Sequence, residues 1–395
     1  MEQIITLRRK ANLTVGVAER MLGRVVFPPQ ASERCEEEFL LIRKSDSPVS
    51  REDIAGFAAI LVEEGADHLT PNATNLPMLA GLPELSSISL NSIVAVSPGG
   101  AMHTLYRPES RFNVIFATGQ CNSNCVMCSQ PPTEDHIPTL IDEHLRLIDL
   151  IHSPPESLGI SGGEPTLLGD GLVKILGVIK QRFPDVALTM LTNGRRYADP
   201  VLTKKIGEAA PEDFISAVPL YADTPAIHDW IVQAKGAFAE TMAGLYNAAR
   251  YRLRVEIRVV LHKQTIPRLV PLMDFIYRNL PFVSHVALMG LENMGYVKKN
   301  WDDLWIDPLD YASELTEAVK HMHYRGMHIS IYNLPLCIIP TSVRPFARQS
   351  ISDYKNLYLE ECDDCSLRSD CAGLFVSSKE RHSRGIRRQY PVSAP

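Results

Sequence analysis

The stretch "CNSNCVMCSQPP", residues 121–132, places three cysteines at spacings of four and three. It directly follows "RFNVIFAT", residues 111–118, whose β-branched and aromatic residues are typical of a strand. Structural zinc sites normally have four protein ligands, whereas a 4Fe-4S cube held by Cys121, Cys125 and Cys128 would leave one iron without a protein ligand. The stretch therefore predicts an iron–sulfur site with an open corner at the end of a strand.

The composition is that of an ordinary globular protein. Of 395 residues, 45% are hydrophobic and 22% are charged, which suits roughly two or three domains. A net charge of -6 favours neither nucleic acid nor a membrane surface as a partner. Because no apolar run could cross a bilayer and the N-terminus lacks the apolar core of a secretory signal, we predict a cytoplasmic location. The basic stretch "KERHSRGIRRQYPVSAP", residues 379–395, is more typical of a solvated tail than of a binding site.

The eight cysteines form two groups and one single residue. In a reducing compartment, cysteines that cluster in sequence indicate metal ligands or catalytic thiols. Cys35 stands alone and is predicted to be a small buried apolar residue. The second group has the spacing C-x24-C-x2-C-x5-C and consists of Cys337, Cys362, Cys365 and Cys371. These four thiolates could close all corners of one iron–sulfur cluster, and a tetrahedral zinc site is the alternative.

From residue 111 onward, short β-branched runs alternate with amphipathic helical stretches, a pattern that predicts βα units and a parallel sheet. The six predicted strands are RFNVIFAT (111–118), LGIS (158–161), ALTMLT (187–192), FISAVPL (214–220), VEIRVVL (255–261) and HVALMGL (285–291). Six units are too few for a closed eight-fold barrel and predict an open, partial (β/α)6 TIM-like barrel. A seventh helix and strand, "YASELTEAVKHMHYRG" and "HISIYNL", follow.

We therefore predict an α/β protein in three parts. Residues 1–108 are rich in Pro, Ser and Asn, show no βα rhythm and would form a small N-terminal domain of uncertain fold. Residues 109–305 would form the barrel core. Residues 306–395 would form a C-terminal extension that carries the second cysteine group and the basic tail.

Glycine-containing motifs follow the second and third predicted strands. "ISGGEPT" (160–166) ends the second strand, and "LTNGR" (191–195) ends the third. The C-terminal ends of parallel strands converge on the active site in barrels of this type. Gly162 and Gly163 would allow a close backbone approach, and Glu164 supplies a carboxylate that could hold a cationic amino group. Both motifs are thus expected beside the first cysteine group.

The CxxxCxxC spacing, with GGEP one βα unit later, resembles the radical S-adenosylmethionine (SAM) superfamily over roughly residues 111–373. The resemblance implies that the open iron chelates the amino and carboxylate groups of SAM. Reductive cleavage would then give a 5′-deoxyadenosyl radical that abstracts hydrogen from a substrate. An electron donor such as flavodoxin or ferredoxin would be needed.

The same resemblance assigns residues to SAM. Besides the GGE motif, the expected contacts are Asn193, Ser216 and Arg258 for the ribose and carboxylate, with a local turn or ion pair as the alternative for each. Met127 stands where the family usually has an aromatic residue near adenine, and its thioether can still pack on a purine. The segment of residues 221–241 resembles the loop after strand four in peptide-modifying members. Its matching residues are His228, Asp229, Gly236 and Phe238, and a helix cap is the alternative for the His-Asp pair.

The second cysteine group lies in "ECDDCSLRSDCAG", which resembles part of the SPASM and shorter twitch extensions. These extensions carry auxiliary iron–sulfur clusters. The resemblance implies one auxiliary 4Fe-4S cluster, with zinc as the alternative.

At a finer level, "CNSNC", "MCSQPP", "NLPLC" and "CDDC" resemble the His-Xaa-Ser system radical SAM maturases of the HxsC type. This resemblance implies oxidative modification, such as a crosslink, of a ribosomally made peptide or protein with His-Xaa-Ser repeats. A second radical SAM maturase and a small accessory protein would be further partners. The alternatives are a radical SAM enzyme that acts on a small molecule or nucleic acid, and a non-enzymatic Fe-S redox sensor. The absence of a basic groove in the sequence argues against nucleic acid.

Overall fold

The computed structural model describes residues 8–10, 12–15, 17–28, 37–70, 76–83, 85, 88–349 and 357–390. Cys35 lies outside the described residues, as do residues 391–395 of the basic tail. Within the described part of the chain, the strands form two eight-stranded sheets, one from the N-terminal region and one from the rest of the chain.

The N-terminal sheet is mixed. Its strands are β1 Arg8–Lys10, β2 Asn12–Val15, β3 Met21–Val26, β4 Glu38–Ile42, β5 Ala59–Glu63, β6 Met78–Leu82, β7 Ile93–Val96 and β8 Ala101–Tyr106. They are arranged in the order β1-β8-β7-β3-β4-β5-β6-β2, and β3 to β6 run parallel to one another. A short helix, α1 (Arg51–Ile54), links β4 and β5.

The parallel pairing of β3 to β6 corrects the expectation that this region has no βα character. In β4 and β5 nearly every residue is buried, because the two faces of the sheet pack into two separate hydrophobic clusters. Phe39 and Leu41 enter one cluster, whereas Leu40 and Ile42 enter the other. A strand that is buried on both faces is a continuous apolar run without alternation, so periodicity does not distinguish it.

The second sheet is entirely parallel. Its strands are β9 Asn113–Phe116, β10 Ser157–Ser161, β11 Ala187–Leu191, β12 Phe214–Pro219, β13 Arg254–Leu261, β14 His285–Gly290, β15 Ile329–Tyr332 and β16 Ala347–Arg348. They pair in sequence order from β9 to β16, and β9 and β16 are the unpaired edges, as in a partial barrel. The α/β class and the seven predicted strands are confirmed. Strand β15 extends this sheet although it comes from the predicted C-terminal extension.

Helices lie between the strands of the parallel sheet along the chain, as the βα pattern predicted. They are α2 Ile137–Leu150, α3 Asp170–Arg182, α4 Pro200–Ala209, α5 Pro225–Val232, α6 Ala237–Arg250, α7 Leu269–Asn279, α8 Trp301–Leu304 and α9 Ala312–His323. Two of them, α5 and α8, lie outside the stretches predicted to be helical. The start of α4 shows how the sequence fixes where a helix begins. Asp199 accepts a hydrogen bond from the Val201 N–H at 2.9 Å, and Pro200 occupies the first turn. Among the described residues, every helix is too short or too polar to span a bilayer.

Strand β13 shows how the parallel sheet separates its two faces. Val255, Ile257, Val259 and Leu261 are buried in the large core under the helices. The alternate side chains, including Glu256 and Arg258, are only partly buried and point to the opposite, inner face. A residue's position along a strand therefore decides whether it can take part in a site inside the barrel.

Candidate functional site

The three cysteines lie in a loop that leaves the end of β9. We call residues 121–128 the cysteine loop. The residues just before this loop are held by Asp135. Its carboxylate accepts hydrogen bonds from Thr118 Oγ1 at 2.8 Å and from the Gly119 N–H. Gln120 Nε2 donates to the Asp135 carbonyl oxygen at 2.9 Å. Asp135 therefore fixes the turn that leads into Cys121. Nothing in the sequence around Asp135 indicated this role.

The glycines of the GGEP motif pack directly against this turn. The Gly163 N–H donates to Thr118 O, and the Glu164 N–H donates to Gln120 O, each at 2.7 Å. A Cβ on Gly163 would lie 2.2 Å from Gln120 O, and a Cβ on Gly162, whose φ is +147°, would lie 2.4 Å from Thr118 O. Both glycines thus permit a close backbone approach. In the structure, these two glycines lie close to the backbone of residues 118–120, which precedes Cys121.

We expect Gly163→Ala to destabilise the protein by about 3 kcal/mol, because a backbone oxygen cannot move aside as a side chain can. Gly177→Ala is the matched control: Gly177 lies within α3, and its added Cβ would meet no atom within 4 Å. Removing that helical glycine should stabilise the protein by about 1 kcal/mol. Urea unfolding of both variants measures the effect. Equal free energies of unfolding would contradict the close-packing account.

The Glu164 side chain joins the ends of two strands, β10 and β11. Its side chain is fully buried, and Oε1 accepts hydrogen bonds from the Thr166 N–H, from Thr166 Oγ1 and from Thr192 Oγ1. Oε2 accepts a hydrogen bond from the Asn193 N–H at 2.7 Å. Burial raises the pKa of this carboxyl, although these donors oppose the shift. The carboxylate therefore positions the loops after β10 and β11, and its predicted contact with the SAM amino group stays a prediction.

Asn193 and Arg195 reach the cysteine loop from the end of β11. Asn193 Nδ2 donates to Asn122 Oδ1 at 2.6 Å and lies 3.9 Å from Cys121 Sγ. Arg195 donates to Asn122 O and, at 3.0 Å, to Ser123 Oγ, while its Nε pairs with Glu240 at 2.7 Å. The structure brings Asn193 to the cysteine loop, and its predicted contact with SAM stays a prediction. Arg195 was missed as a functional residue, although it follows the LTNG turn directly.

Arg258 and Ser216 lie on opposite faces of the sheet. Arg258 is on the inner face, where its Nε donates to Glu256 at 2.7 Å. Ser216 pairs in register with Met190 and Val255, which face the helices, and its hydroxyl lies 2.8 Å from the buried Tyr197 hydroxyl. The structure therefore does not bring Ser216 to the face that carries Arg258.

Met127 packs inside the protein beside the cysteines. It is buried with Tyr221, Ile231 and Val297 in a small hydrophobic cluster that Cys125 also contacts. Backbone hydrogen bonds join this part of the loop to α5, because the Asn124 and Val126 N–H groups donate to carbonyl oxygens at its C-terminal end. A place for Met127 near adenine stays a prediction.

The His-Asp pair supports the same cluster. Asp229 accepts hydrogen bonds from the Gly236 N–H at 2.6 Å and from the Phe238 N–H at 2.8 Å, so it caps the start of α6. The His228 ring stacks on Tyr221 with centroids 5.9 Å apart, and its Nδ1 accepts from the Tyr221 N–H. Burial lowers the pKa of His228 to about 4, so the ring is neutral near pH 7.

The three thiols of the cysteine loop are partly buried and close enough to influence one another. Burial, and then the neighbouring Cys128 and Cys121, raise the pKa of Cys125 to about 12. Such a set resists losing three protons by itself, whereas a bound metal deprotonates coordinating thiols. The Ser123 N–H also donates to Cys121 Sγ at 3.4 Å. Thiols with hydrogen-bond donors directed at sulfur suit an iron–sulfur cluster.

The second cysteine group also converges. One cavity is lined by all four of its members, Cys337, Cys362, Cys365 and Cys371, together with largely apolar neighbours. Cys371 Sγ accepts hydrogen bonds from the Leu336 N–H at 3.3 Å and from the Gly373 N–H at 3.5 Å. Four thiols with such donors suit an iron–sulfur cluster or zinc. Across the described ranges, no three His, Cys, Asp or Glu side chains already stand as ligands of a single metal ion.

Comparisons with known proteins give one family match. Residues 115–276 match the family model described as the radical SAM superfamily. Among curated protein sequences, none matches this chain.

Solved structures also match parts of this chain. Streptococcus suis SuiB bound to S-adenosylmethionine is 16% identical, with a TM-score of 0.46 over 57% of this chain and 51% of that chain. The chain thus spans about half the length of that structure. Native anSMEcpe with bound AdoMet and the Cp18Cys peptide is 14% identical, with a TM-score of 0.49 over 71% of this chain and 92% of that chain.

The cysteines at the end of β9 lie within the matched segment, and so do the GGEP and LTNG turns that contact their loop. The match therefore supports the radical SAM superfamily for this chain.

Proposed function

We propose that this protein is a radical SAM enzyme that oxidatively modifies a ribosomally made peptide. The observation that carries the proposal is the convergence of two strand-end motifs on the cysteine loop: GGEP contacts the turn before Cys121, and Asn193 contacts Asn122 within the loop. Convergence of strand-end loops at the C-terminal edge of a parallel sheet is the usual construction of an active site in such folds.

In this proposal Cys121, Cys125 and Cys128 hold a 4Fe-4S cluster. When bound, the cluster supplies the electron that cleaves SAM to a 5′-deoxyadenosyl radical. The chain's own residues hold the site in place: Asp135 fixes the turn before Cys121, Arg195 binds Ser123, and Asn300 binds the Val126 carbonyl oxygen. The apolar cluster around Tyr221 keeps water away from one side of the thiols.

SAM would lie against residues 162–164, beside Asn193 and Arg258. Asn193 offers an amide 3.9 Å from Cys121 Sγ, and Arg258 offers a guanidinium on the inner face of the sheet. A guanidinium is suited to a carboxylate, because it can donate two parallel hydrogen bonds. Ser216 has a weaker claim than these residues, since its hydroxyl faces Tyr197.

The second cysteine group is proposed to hold an auxiliary 4Fe-4S cluster that accepts the electron left after hydrogen abstraction. The four thiols that line one cavity support this role. We place the cluster in a C-terminal extension, residues 306–395, beside a core of residues 109–305 and an N-terminal domain of residues 1–108. Zinc remains the competing metal and is distinguished by the experiment below.

The substrate class rests on the sequence motifs. "CNSNC" with "MCSQPP" and the later "NLPLC" with "CDDC" support a peptide or protein with His-Xaa-Ser repeats, with a second radical SAM maturase and a small accessory protein as partners. Flavodoxin or ferredoxin is the proposed electron donor.

Anaerobic reconstitution tests the proposal. The chain should bind about eight irons if both sites hold cubes. With dithionite and SAM it should release 5′-deoxyadenosine, and coexpression with a His-Xaa-Ser peptide should change the mass of that peptide. About four irons with one zinc would overturn the auxiliary cluster. No 5′-deoxyadenosine would indicate a non-enzymatic redox protein, and product formation without any peptide change would indicate another substrate class.

A further inference from the structure

Residues 383–389 cross the second cysteine site and are here called the strap. One end of the strap is anchored on Asp307, which accepts hydrogen bonds from Ser383 Oγ at 2.7 Å and from the Arg384 N–H at 2.9 Å. The Arg384 guanidinium also pairs with the Asp310 carboxylate, Nη1 to Oδ2 at 3.0 Å. The expectation of a solvated tail is therefore wrong for this segment.

The other end of the strap reaches the thiols themselves. The Gln389 N–H donates to Cys365 Sγ at 3.4 Å, and the Gln389 carbonyl oxygen accepts from the Ser366 N–H at 3.0 Å. Arg344 Nη2 holds the Gln389 side chain through Oε1 at 3.1 Å. Together with Ile386, Gln389 forms part of the wall of the cavity that the four cysteines line.

We propose that the strap is a positioning element for the auxiliary cluster and that the Gln389 N–H raises the reduction potential of that cluster. A hydrogen bond to a cysteine sulfur stabilises the more negative, reduced state more than the oxidised state. The strap would therefore keep the cluster able to accept an electron from the substrate radical. This inference rests on the proposed auxiliary cluster.

A matched pair of substitutions isolates the N–H group. Gln389→Pro removes the N–H, whereas Gln389→Ala keeps it and removes only the side chain that Arg344 holds. Both are made in a Cys121→Ala/Cys125→Ala/Cys128→Ala background, so that only the second site can hold a cluster. The midpoint potential is followed by anaerobic titration with electron paramagnetic resonance, and iron content is measured in parallel.

We expect the proline variant to shift the reduced-to-oxidised ratio about tenfold toward the oxidised state at a fixed potential, which is about 59 mV for one electron. The alanine variant should titrate as its parent does. Asp307→Ala, which releases the opposite end of the strap, should shift the potential in the same direction as the proline variant.

Three results would overturn the inference. Unchanged titration of the proline variant would show that the Gln389 N–H does not affect the reduction potential. Equal shifts in the proline and alanine variants would show the same. A triple-cysteine background that binds no iron would remove the auxiliary cluster and the inference with it. SAM cleavage by the wild-type chain would still report separately on the first site.

Discussion

A Cys125→Ala variant is expected to bind about four fewer irons per chain than the wild type and to form no detectable 5′-deoxyadenosine. Cys125 lies between the other two thiols in sequence and has the most strongly raised pKa of the three, to about 12. Its backbone is fixed on both sides, because the Asn124 N–H donates to Val232 O at 3.0 Å and the Val126 N–H donates to Ile231 O at 2.9 Å. A neighbouring side chain therefore cannot move into its place.

Cys371→Ala is the control for that result. Cys371 belongs to the second group, where its sulfur accepts two backbone N–H bonds. Its loss should also lower the iron content, yet the reduced protein should still cleave SAM in a single turnover. Iron analysis and chromatography of the nucleoside product measure both variants. SAM cleavage by Cys125→Ala at the wild-type rate would exclude the cysteine loop as the site of the chemistry.

A Glu164→Ala variant is expected to lose about 4 kcal/mol of the free energy of unfolding. The substitution leaves four donors without their acceptor at a fully buried position, and each unsatisfied buried donor is costly. Glu208→Ala is the control, since the Glu208 side chain is 67% exposed and should contribute less than about 0.5 kcal/mol. Urea unfolding measures both. Equal losses would mean that the Glu164 carboxylate does not join the strand ends.

The charge on Glu164 adds a pH dependence to this prediction. Burial raises the pKa of Glu164, so the folded protein holds a proton there more tightly than the unfolded chain does. The contribution of this group to stability is thus complete below the ordinary glutamate pKa and is lost as the pH rises through the raised value. Glu164→Gln cannot titrate. The stability of the wild type relative to Glu164→Gln should therefore fall as the pH rises across that interval.

The parallel sheet, and the closeness of the GGEP turn to the cysteine loop, could be predicted because each depends on a short contiguous sequence pattern. Strand β9, the cysteines and GGEP are contiguous patterns, and strand-end geometry brings them together. Asp135 and Arg195 were not predictable in the same way, because each contacts the turn or loop around Cys121 through a bond that only the folded chain creates. No periodicity marks such a residue.

Ser216 shows a different limit of prediction from the sequence, which concerns the face of the sheet on which a side chain lies. Its strand carries buried residues on both faces, so the sequence of β12 does not show which side chains face the helices. The register with Met190 and Val255 settles the orientation, and that information lies in other strands. The same loss of alternation concealed the parallel pairing of β4 and β5 in the N-terminal sheet.

The contact between Gln389 and Cys365 has a consequence for biosynthesis. Among the described residues, the hydrogen-bond partners of the cysteine loop are made by residue 300, where Asn300 donates to Val126 O at 2.7 Å. The cavity at the second cysteine group is complete only when Gln389, which forms part of its wall, has been added to the chain. Since chains fold from the N-terminal side during translation, the contacts around the two cysteine groups become complete one after the other. The described contacts that hold the cysteine loop can therefore form on a nascent chain while the second cysteine site is still open.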